Sequence, residues 1–405
     1  MRVLLSTIGS RGDVQPLVAL ALQLKSAGQD VRMCVPPDFR EWIDGLGISA
    51  VAIGPELRAT ASPQSPPTGL ALSPERRRQL AEATVATQFE TIAAAAEGSD
   101  VIVAATALQI AAASVAEKKR IRYVFVAYCP IVLPSPHHAP PPLPPLPGQP
   151  PAPLVVDNRE LWLRDGERFT GLFGAALNAH RRSLQLEAIR DVRAYVFTDR
   201  PWLAADPALA PWPDRANTVF QPGAWIVPDE RPLPRETEAF LDAGDPPVYF
   251  GFGSMRASEG LGNVMVDAAR ALGRRAIVSR GWADLAGGSG PDCLAVDEIN
   301  QQTLFTRVAA VVHHGGAGTT TTAALAGSPQ VVIPQLYDQH YWAARVRDLA
   351  IGTAHDAGTL TADSLASCLE RTLRSDTAER AHTIAKTVRR DGAQIAADRL
   401  IQGIR

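Results

Sequence analysis

Short runs of consecutive apolar residues alternate with helical patterns along this chain. In the first half the runs are Arg2 to Ser6, Val31 to Val35, Ala50 to Ile53, Val101 to Ala105, Tyr123 to Ala127 and Tyr195 to Phe197. After a break the rhythm resumes with Val248 to Phe250, Ala276 to Ser279, Cys293 to Val296, Val308 to Val312 and Val331 to Ile333. A continuous apolar strand belongs in a sheet covered on both faces, and strands alternating with helices imply parallel pairing. The pattern therefore predicts an α/β protein with two doubly wound, Rossmann-like domains facing across a cleft.

The interruptions set the domain limits. Pro201 to Pro234 mixes Pro, Trp and Asp without helical or strand period, as a connector does. The predicted organisation is residues 1–205 as the N-terminal domain, 206–230 as the linker, 231–388 as the C-terminal domain, and 389–405 as a helix crossing back. That helix is read as one long element from about Asp376 to Ile404. Between Pro134 and Pro153, eleven of twenty residues are proline, which rules out helix or central strand there. The segment is expected to be a loop over the first domain's ligand site; a polyproline recognition segment or a spacer is the other reading.

Composition narrows the classes. The 405 residues are 46% hydrophobic and 20% charged, too long for one ordinary core and too apolar for disorder. A formal net charge of −2 gives no support to a nucleic-acid partner. No run of 18 apolar residues occurs and the N-terminus reads as the first strand, so no stable membrane association and a cytoplasmic location are expected. Cys34, Cys129, Cys293 and Cys368 are too scattered for a disulfide framework or a CxxC-type metal site.

Two loops carry the candidate chemistry. His313-His314-Gly315-Gly316-Ala317-Gly318-Thr319-Thr320 lies between an apolar strand and a helix running from near Gly318 toward Gly327. Glycines there let backbone N–H groups approach an anion, and a helix N-terminus favours negative charge, so a diphosphate is the natural guest. Gly9-Ser10-Arg11-Gly12-Asp13 opens the helix from Val14 to Ala27. Asp13 thus sits where open parallel sheets bind ligands, although an Asp at this place can equally serve as a helix cap. Neighbouring residues on extended backbone point to opposite faces, so His313 and His314 are not expected to share a metal ion; His313 is expected to pack. A metal at His137-His138 is disfavoured, as is an adhesion role for the Arg11-Gly12-Asp13 triplet inside a strand-to-helix turn. Gly251-Phe252-Gly253 lacks the third glycine of the dinucleotide fingerprint, and there is no Walker loop.

Taken in order and spacing, Gly9 to Pro16, Gly251-Phe252-Gly253-Ser254-Met255, His313 to Thr322 and Pro334-Gln335-Leu336-Tyr337-Asp338-Gln339 resemble the family 1 nucleotide-sugar glycosyltransferases of the GT-B fold. The likeness covers the whole chain. With Tyr128-Cys129-Pro130, Phe197 to Asp206 and Gly223-Ala224-Trp225-Ile226 it is nearest to the branch that decorates glycopeptide antibiotic aglycones of the vancomycin and chloroeremomycin type.

The resemblance implies an inverting transfer of a sugar or deoxysugar from a dTDP-sugar or UDP-sugar to an aglycone hydroxyl, without metal or other cofactor, in a monomer. It implies Asp13 as general base, with Asp338 as the rival. Donor contacts are carried to Ser10, Ser254, Trp282, Val296, His314, Gly315, Gly316, Gly318, Thr319, Asp338 and Gln339. Acceptor contacts fall on Ser10, Arg11 and His137. Trp282, in the Arg280-Gly281-Trp282 loop, either stacks on the base or packs the core. Other readings stay open: a sterol, macrolide or polyketide acceptor, or a scaffold that binds a nucleotide sugar without transferring it. An epimerase of the same fold would need further carboxylates that the sequence does not supply.

Overall fold

The computed structural model describes residues 1–58, 73–141, 157–214, 219–255 and 260–403, apart from 286 and 289. Most of the proline-rich segment, residues 142–156, lies outside the described residues.

Two six-stranded sheets, parallel throughout, form the framework. The first comprises β1 (Arg2–Thr7), β2 (Asp30–Val35), β3 (Ser49–Ala52), β4 (Val101–Ala105), β5 (Arg122–Ala127) and β6 (Trp202–Leu203), in spatial order β3-β2-β1-β4-β5-β6. The second comprises β7 (Val248–Gly251), β8 (Ala276–Ser279), β9 (Cys293–Val296), β10 (Ala310–His313), β11 (Gln330–Val332) and β12 (Gly352–Ala354), ordered β12-β11-β10-β7-β8-β9. Both sheets have one topology, in which the strand order reverses between β1 and β4 and between β7 and β10. Such a reversal leaves a crevice beyond the carboxyl ends of the strands, where open α/β sheets take their ligands.

The sheets are held by burial on both faces. Along β1, Leu4 enters one apolar cluster and Val3 and Leu5 enter another; along β4, Ile102 and Ala104 alternate with Val101, Val103 and Ala105 in the same way. In the second sheet Val248 and Phe250 face one core and Tyr249 the other. The cluster containing Leu4 and Phe125 also takes in Trp342 and Val346 from the second half, so apolar packing runs through both domains.

Several elements differ from the sequence reading. Tyr195 to Phe197 is the end of a helix, Val192–Phe197, whose Asp191 cap accepts the Ala194 N–H at 2.9 Å; the cap outweighs a three-residue apolar run. The sixth strand is instead Trp202–Leu203, inside the stretch from Pro201 read as connector. It is too short to show a period, and it is fixed by Ala127 on one side and Phe220 on the other: Ala204 N–H donates to Ala127 O at 2.8 Å and Leu203 N–H to Phe220 O at 2.9 Å. β12 was equally illegible. A Cβ on Gly352 would fall 1.8 Å from the Gln330 carbonyl oxygen, so its backbone is pressed against β11.

The long final helix is two helices, Ser375–Ala385 and Gly392–Gln402. The break is imposed by the first half: buried Asp206 accepts the Arg389 N–H at 2.8 Å, and a Cβ on Gly392 would lie 2.5 Å from Ala224 O. Beyond it, Ala396 and Leu400 join the cluster formed by Leu17, Leu20 and Leu24 of the first helix, Arg11–Ser26. The chain therefore returns to the N-terminal half. Asp206→Ala is expected to leave the Arg389 and Ala208 N–H groups without their acceptor and to lower unfolding free energy by about 1–3 kcal/mol, measured by urea titration; an unchanged midpoint would show that the return does not depend on Asp206.

Candidate functional site

The crevice is built from loops at the carboxyl ends of the strands. After β1 the chain enters the first helix at Arg11, three residues earlier than the sequence suggested, so Asp13 is in the first helical turn and not in the preceding loop. The reason is a capping box: Asp13 Oδ2 accepts the Ser10 N–H at 2.7 Å and the Ser10 hydroxyl at 3.2 Å. Gly9 makes room for this fold-back. Its φ is +148°, and a Cβ there would lie 2.1 Å from Asp13 Oδ2. Tyr128, just after β5, donates its hydroxyl to Asp13 O at 3.0 Å and ties the turn to the neighbouring strand.

Burial raises the Asp13 carboxyl to about 6, helped by the charge of Asp338 and opposed by the Ser10 hydrogen bonds. Asp338 precedes the helix Gln339–Asp348 in the other domain, and Trp342 Nε1–H donates to its Oδ2 at 3.2 Å. Burial lifts it to about 6 as well. The two carboxylates, each at a helix N-terminus and each from a different domain, are thus close enough for one to be felt by the other. Tyr337, between them in influence, has φ +55° and a phenol raised by burial and by the charges of Asp338, Asp165, Cys129 and Asp13. A left-handed tyrosine at this place is a strained feature of the kind that clusters at ligand sites. Gln339 is buried and turned onto its own loop, where Oε1 accepts Gln335 N–H at 2.8 Å and Leu336 N–H at 3.2 Å.

The glycine turn divides its labour. His313 is fully buried, accepts the Gly315 N–H on Nδ1 at 3.1 Å and bonds Gln330 Oε1 through Nε2 at 2.9 Å. It packs and shapes the turn. Gly315, expected as a backbone donor to the ligand, gives its N–H to His313 instead. It is buried at φ +91°, where a Cβ would meet Val332 at 2.8 Å and the Gln339 carbonyl oxygen at 3.0 Å. The donors left to an anion are those of the first turn of the helix Ala317–Ala326, capped by Gly316 and beginning with Ala317, Gly318 and Thr319, which have no intrahelical acceptor.

His314 stands beside this turn. Burial lowers its imidazole to about 4, so it is neutral at pH 7, and among the described residues its buried Nδ1 has no hydrogen-bond partner. A Cβ on Gly316 would lie 2.6 Å from its Nε2, and one on Gly253 3.5 Å from its Cε1. The loop carrying Ser254 after β7 therefore borders the same imidazole.

The remaining candidates are more dispersed. Trp282 packs against Phe39 of the other domain, ring centroids 6.0 Å apart at 24°, while its backbone N–H donates to Gly253 O at 2.9 Å. Val296 is buried in a core cluster. Arg11 pairs with Glu298 in the second domain. His137 itself is exposed, and its neighbour His138 is packed edge-on between Trp162 and Trp212. Among the described residues there is no cluster of metal-ligating side chains, and no helix is long and apolar enough to cross a membrane. Sequence reasoning placed Tyr337 in the Pro334 to Gln339 motif and Glu298 in the candidate donor loop Val296-Asp297-Glu298 without giving either a role of its own, and it missed Trp342. Trp342 left a trace all the same, four residues after Asp338 and hence on the same side of a helix.

Comparison with known proteins fits this geometry. Residues 3–132 match the glycosyltransferase family 28 N-terminal domain, and residues 283–396 match the C-terminal domain described as erythromycin biosynthesis protein CIII-like. Glycosyltransferase GtfE of Amycolatopsis orientalis is 48% identical over all of this chain and 98% of its own length. The vancomycin aglycone glucosyltransferase of the same organism is 47% identical over the same shares.

This chain belongs to the vancomycin-type GT-B glycosyltransferases.

A dTDP-epi-vancosaminyltransferase, also from Amycolatopsis orientalis, is 42% identical over 95% of the chain and 93% of its own length. Among solved structures the glycosyltransferase VinC in complex with dTDP superposes with a TM-score of 0.70 at 20% identity, covering 99% of both chains, which confirms the GT-B fold.

The raised Asp13 carboxyl carries a consequence for a glycosyltransferase of this fold. An acid whose folded value lies above its unfolded one penalises the folded state fully above about pH 6, and the penalty fades as pH falls toward the unfolded value. Asp13→Asn keeps an oxygen for the Ser10 N–H while removing the charge. It is expected to raise the melting temperature at pH 7.5, by roughly 1–3 °C, with the gain disappearing near pH 4; a variant less stable than the parent at pH 7.5 would show that the charge is not held at a cost.

Proposed function

We propose that this enzyme moves a sugar from a nucleoside diphosphate, dTDP or UDP, to a hydroxyl of a glycopeptide antibiotic aglycone, with inversion and without a metal. The observation that carries the reading is the meeting of unlike halves: the Asp13 carboxyl, raised to about 6 on one domain, feels the charge of Asp338 on the other, and the neighbouring Gln339 packs on the Gly315 turn that leads to a helix N-terminus and to a neutral imidazole whose Nδ1 has no partner among the described residues. Two demands of the chemistry correspond to them. A base must accept the acceptor's proton as the hydroxyl attacks, and donors must meet the charge that grows on the departing diphosphate.

Asp13 suits the base. A carboxylate with a value of about 6 is ionised at pH 7 yet accepts a proton more readily than an ordinary aspartate. Its Oδ2 is engaged by Ser10, so the capping box fixes the carboxyl plane and leaves the proton to the other oxygen. We assign Asp338 to the sugar hydroxyls, for which an ionised carboxylate is an acceptor, and its charge to raising Asp13. His314, Ser254, Gly316, Gly318 and Thr319 are assigned to the phosphates. The neutral imidazole donates one hydrogen bond without a competing positive charge, and the helix amides complete an anion site that needs no divalent ion. Ser10, with its hydroxyl beside Asp13, is the residue shared by donor and acceptor.

The acceptor class rests on the relatives: the vancomycin aglycone glucosyltransferase and the dTDP-epi-vancosaminyltransferase match nearly the whole chain. Incubation with dTDP-glucose or UDP-glucose and vancomycin aglycone is expected to give a product heavier by one hexose, with release of the nucleoside diphosphate. Binding of dTDP with no transfer to any glycopeptide aglycone, alongside transfer to a macrolide or sterol, would overturn the acceptor. Asp13→Ala is expected to lower turnover by about 10²–10⁴-fold, and the parent rate should fall as pH drops through about 6, where Asp13 takes up its proton. Full turnover in Asp13→Ala would move the base elsewhere. His314→Ala is expected to reduce turnover by about 10²–10³-fold with acceptor binding little changed; the opposite pattern, measured by steady-state kinetics in each substrate, would show the domains' roles reversed.

A further inference from the structure

Arg11, two residues before Asp13, uses its whole guanidinium. Nε–H donates to Gln15 Oε1 at 3.2 Å, the Nη1 and Nη2 groups donate to Glu298 Oε2 and Oε1 at 3.2 and 3.0 Å, and Cζ lies 4.0 Å from the centroid of the Trp42 ring. Arg11 and Trp42 belong to the N-terminal half, whereas Glu298 belongs to the loop after β9, so the fork-to-fork pair spans the crevice. Glu298 is also 3.5 Å from Arg231, which forms its own bidentate pair with Asp229 at 2.7 and 2.8 Å. Asn300, two residues on, donates to the carbonyl oxygens of Asp229 and Arg231 at 2.8 and 2.7 Å. The loop after β9 therefore grips the end of the interdomain connector with one set of bonds and the first turn of the base-bearing helix with another.

We propose that Glu298 is a positioning residue, which clamps Arg11 and thereby sets Asp13 over the donor half when the two domains close. An isolated surface ion pair does little, because two long side chains must be ordered to make it. Here Gln15 and Trp42 already order the arginine and Asn300 anchors the loop beside the glutamate, so little freedom remains to be lost, and the bidentate geometry fixes orientation as well as proximity. The stack of Phe39 on Trp282 closes the same seam one strand over. Interfaces between domains of one chain are otherwise open to relative motion, and a modest bias toward closure changes the closed population severalfold. The role in catalysis rests on the transferase reading above, but the closure itself does not.

The test has two arms with Glu298→Gln, Arg11→Gln and the double variant. In the ligand-free full-length protein, single-molecule energy transfer between dyes on the two domains is expected to show a longer, broader separation for each single variant. High salt should shift the parent toward the same distribution and leave Glu298→Gln unmoved. In steady-state turnover each single variant is expected to lose roughly three- to tenfold in kcat/KM, with the double variant no worse than either, and with the acidic limb of the pH profile unmoved. An unaltered separation in Glu298→Gln would overturn the clamp. So would losses that multiply in the double variant, since Arg11 would then act on substrate directly. Absence of turnover in the parent with every donor and aglycone would defeat the transferase reading and leave the energy-transfer result to decide the clamp.

Discussion

Burial of two carboxylates is the constraint around which the crevice is arranged. Asp13 and Asp338 come from different domains, and each stands at the start of a helix whose partial positive charge eases the cost of ionisation. Burial nonetheless lifts both toward neutrality, and Asp338 adds to the rise at Asp13. The fold sustains this because neither residue depends on the other for its place. Ser10 and Gly9 hold one; Trp342 holds the other.

The opposite wall is organised by neutrality. His313 is buried and hydrogen-bonded on both nitrogens, so its work is to shape the turn, and it consumes the Gly315 N–H in doing so. Beside it stand the neutral His314 imidazole, whose buried Nδ1 has no hydrogen-bond partner among the described residues, and the amides at a helix start. The amides are donors without a full charge, and the neutral imidazole carries one donor nitrogen and one acceptor nitrogen. In the proposed transfer, an anionic leaving group is met there by groups without a full charge.

The sheet topology was largely legible because buried parallel strands are apolar from end to end; ten of the twelve strands coincide with such runs or overlap most of them, β10 and β11 slipping by only one or two residues. The failures are the elements defined by their neighbours. Trp202–Leu203 and Gly352–Ala354 are too short to carry a period, and Tyr195 to Phe197 is apolar for packing in a helix that Asp191 caps. The break before Gly392 depends on Asp206, almost two hundred positions away. At the site, the glycine turn and Asp13 were visible as motifs. The division between structural His313 and available His314, the reassignment of Gly315, and the clamp on Arg11 required distances between residues far apart in sequence.

Burial, with a smaller contribution from Asp338, holds the Asp13 carboxyl in the range that the proposed base needs. Carbon-13 NMR of the Asp13 carboxyl across pH 3 to 8, in the parent and in Asp338→Asn, tests it directly. The account predicts a midpoint near 6 in the parent and a lower one once the facing charge is removed. A midpoint at the ordinary aspartate value of about 4, indifferent to Asp338, would contradict it.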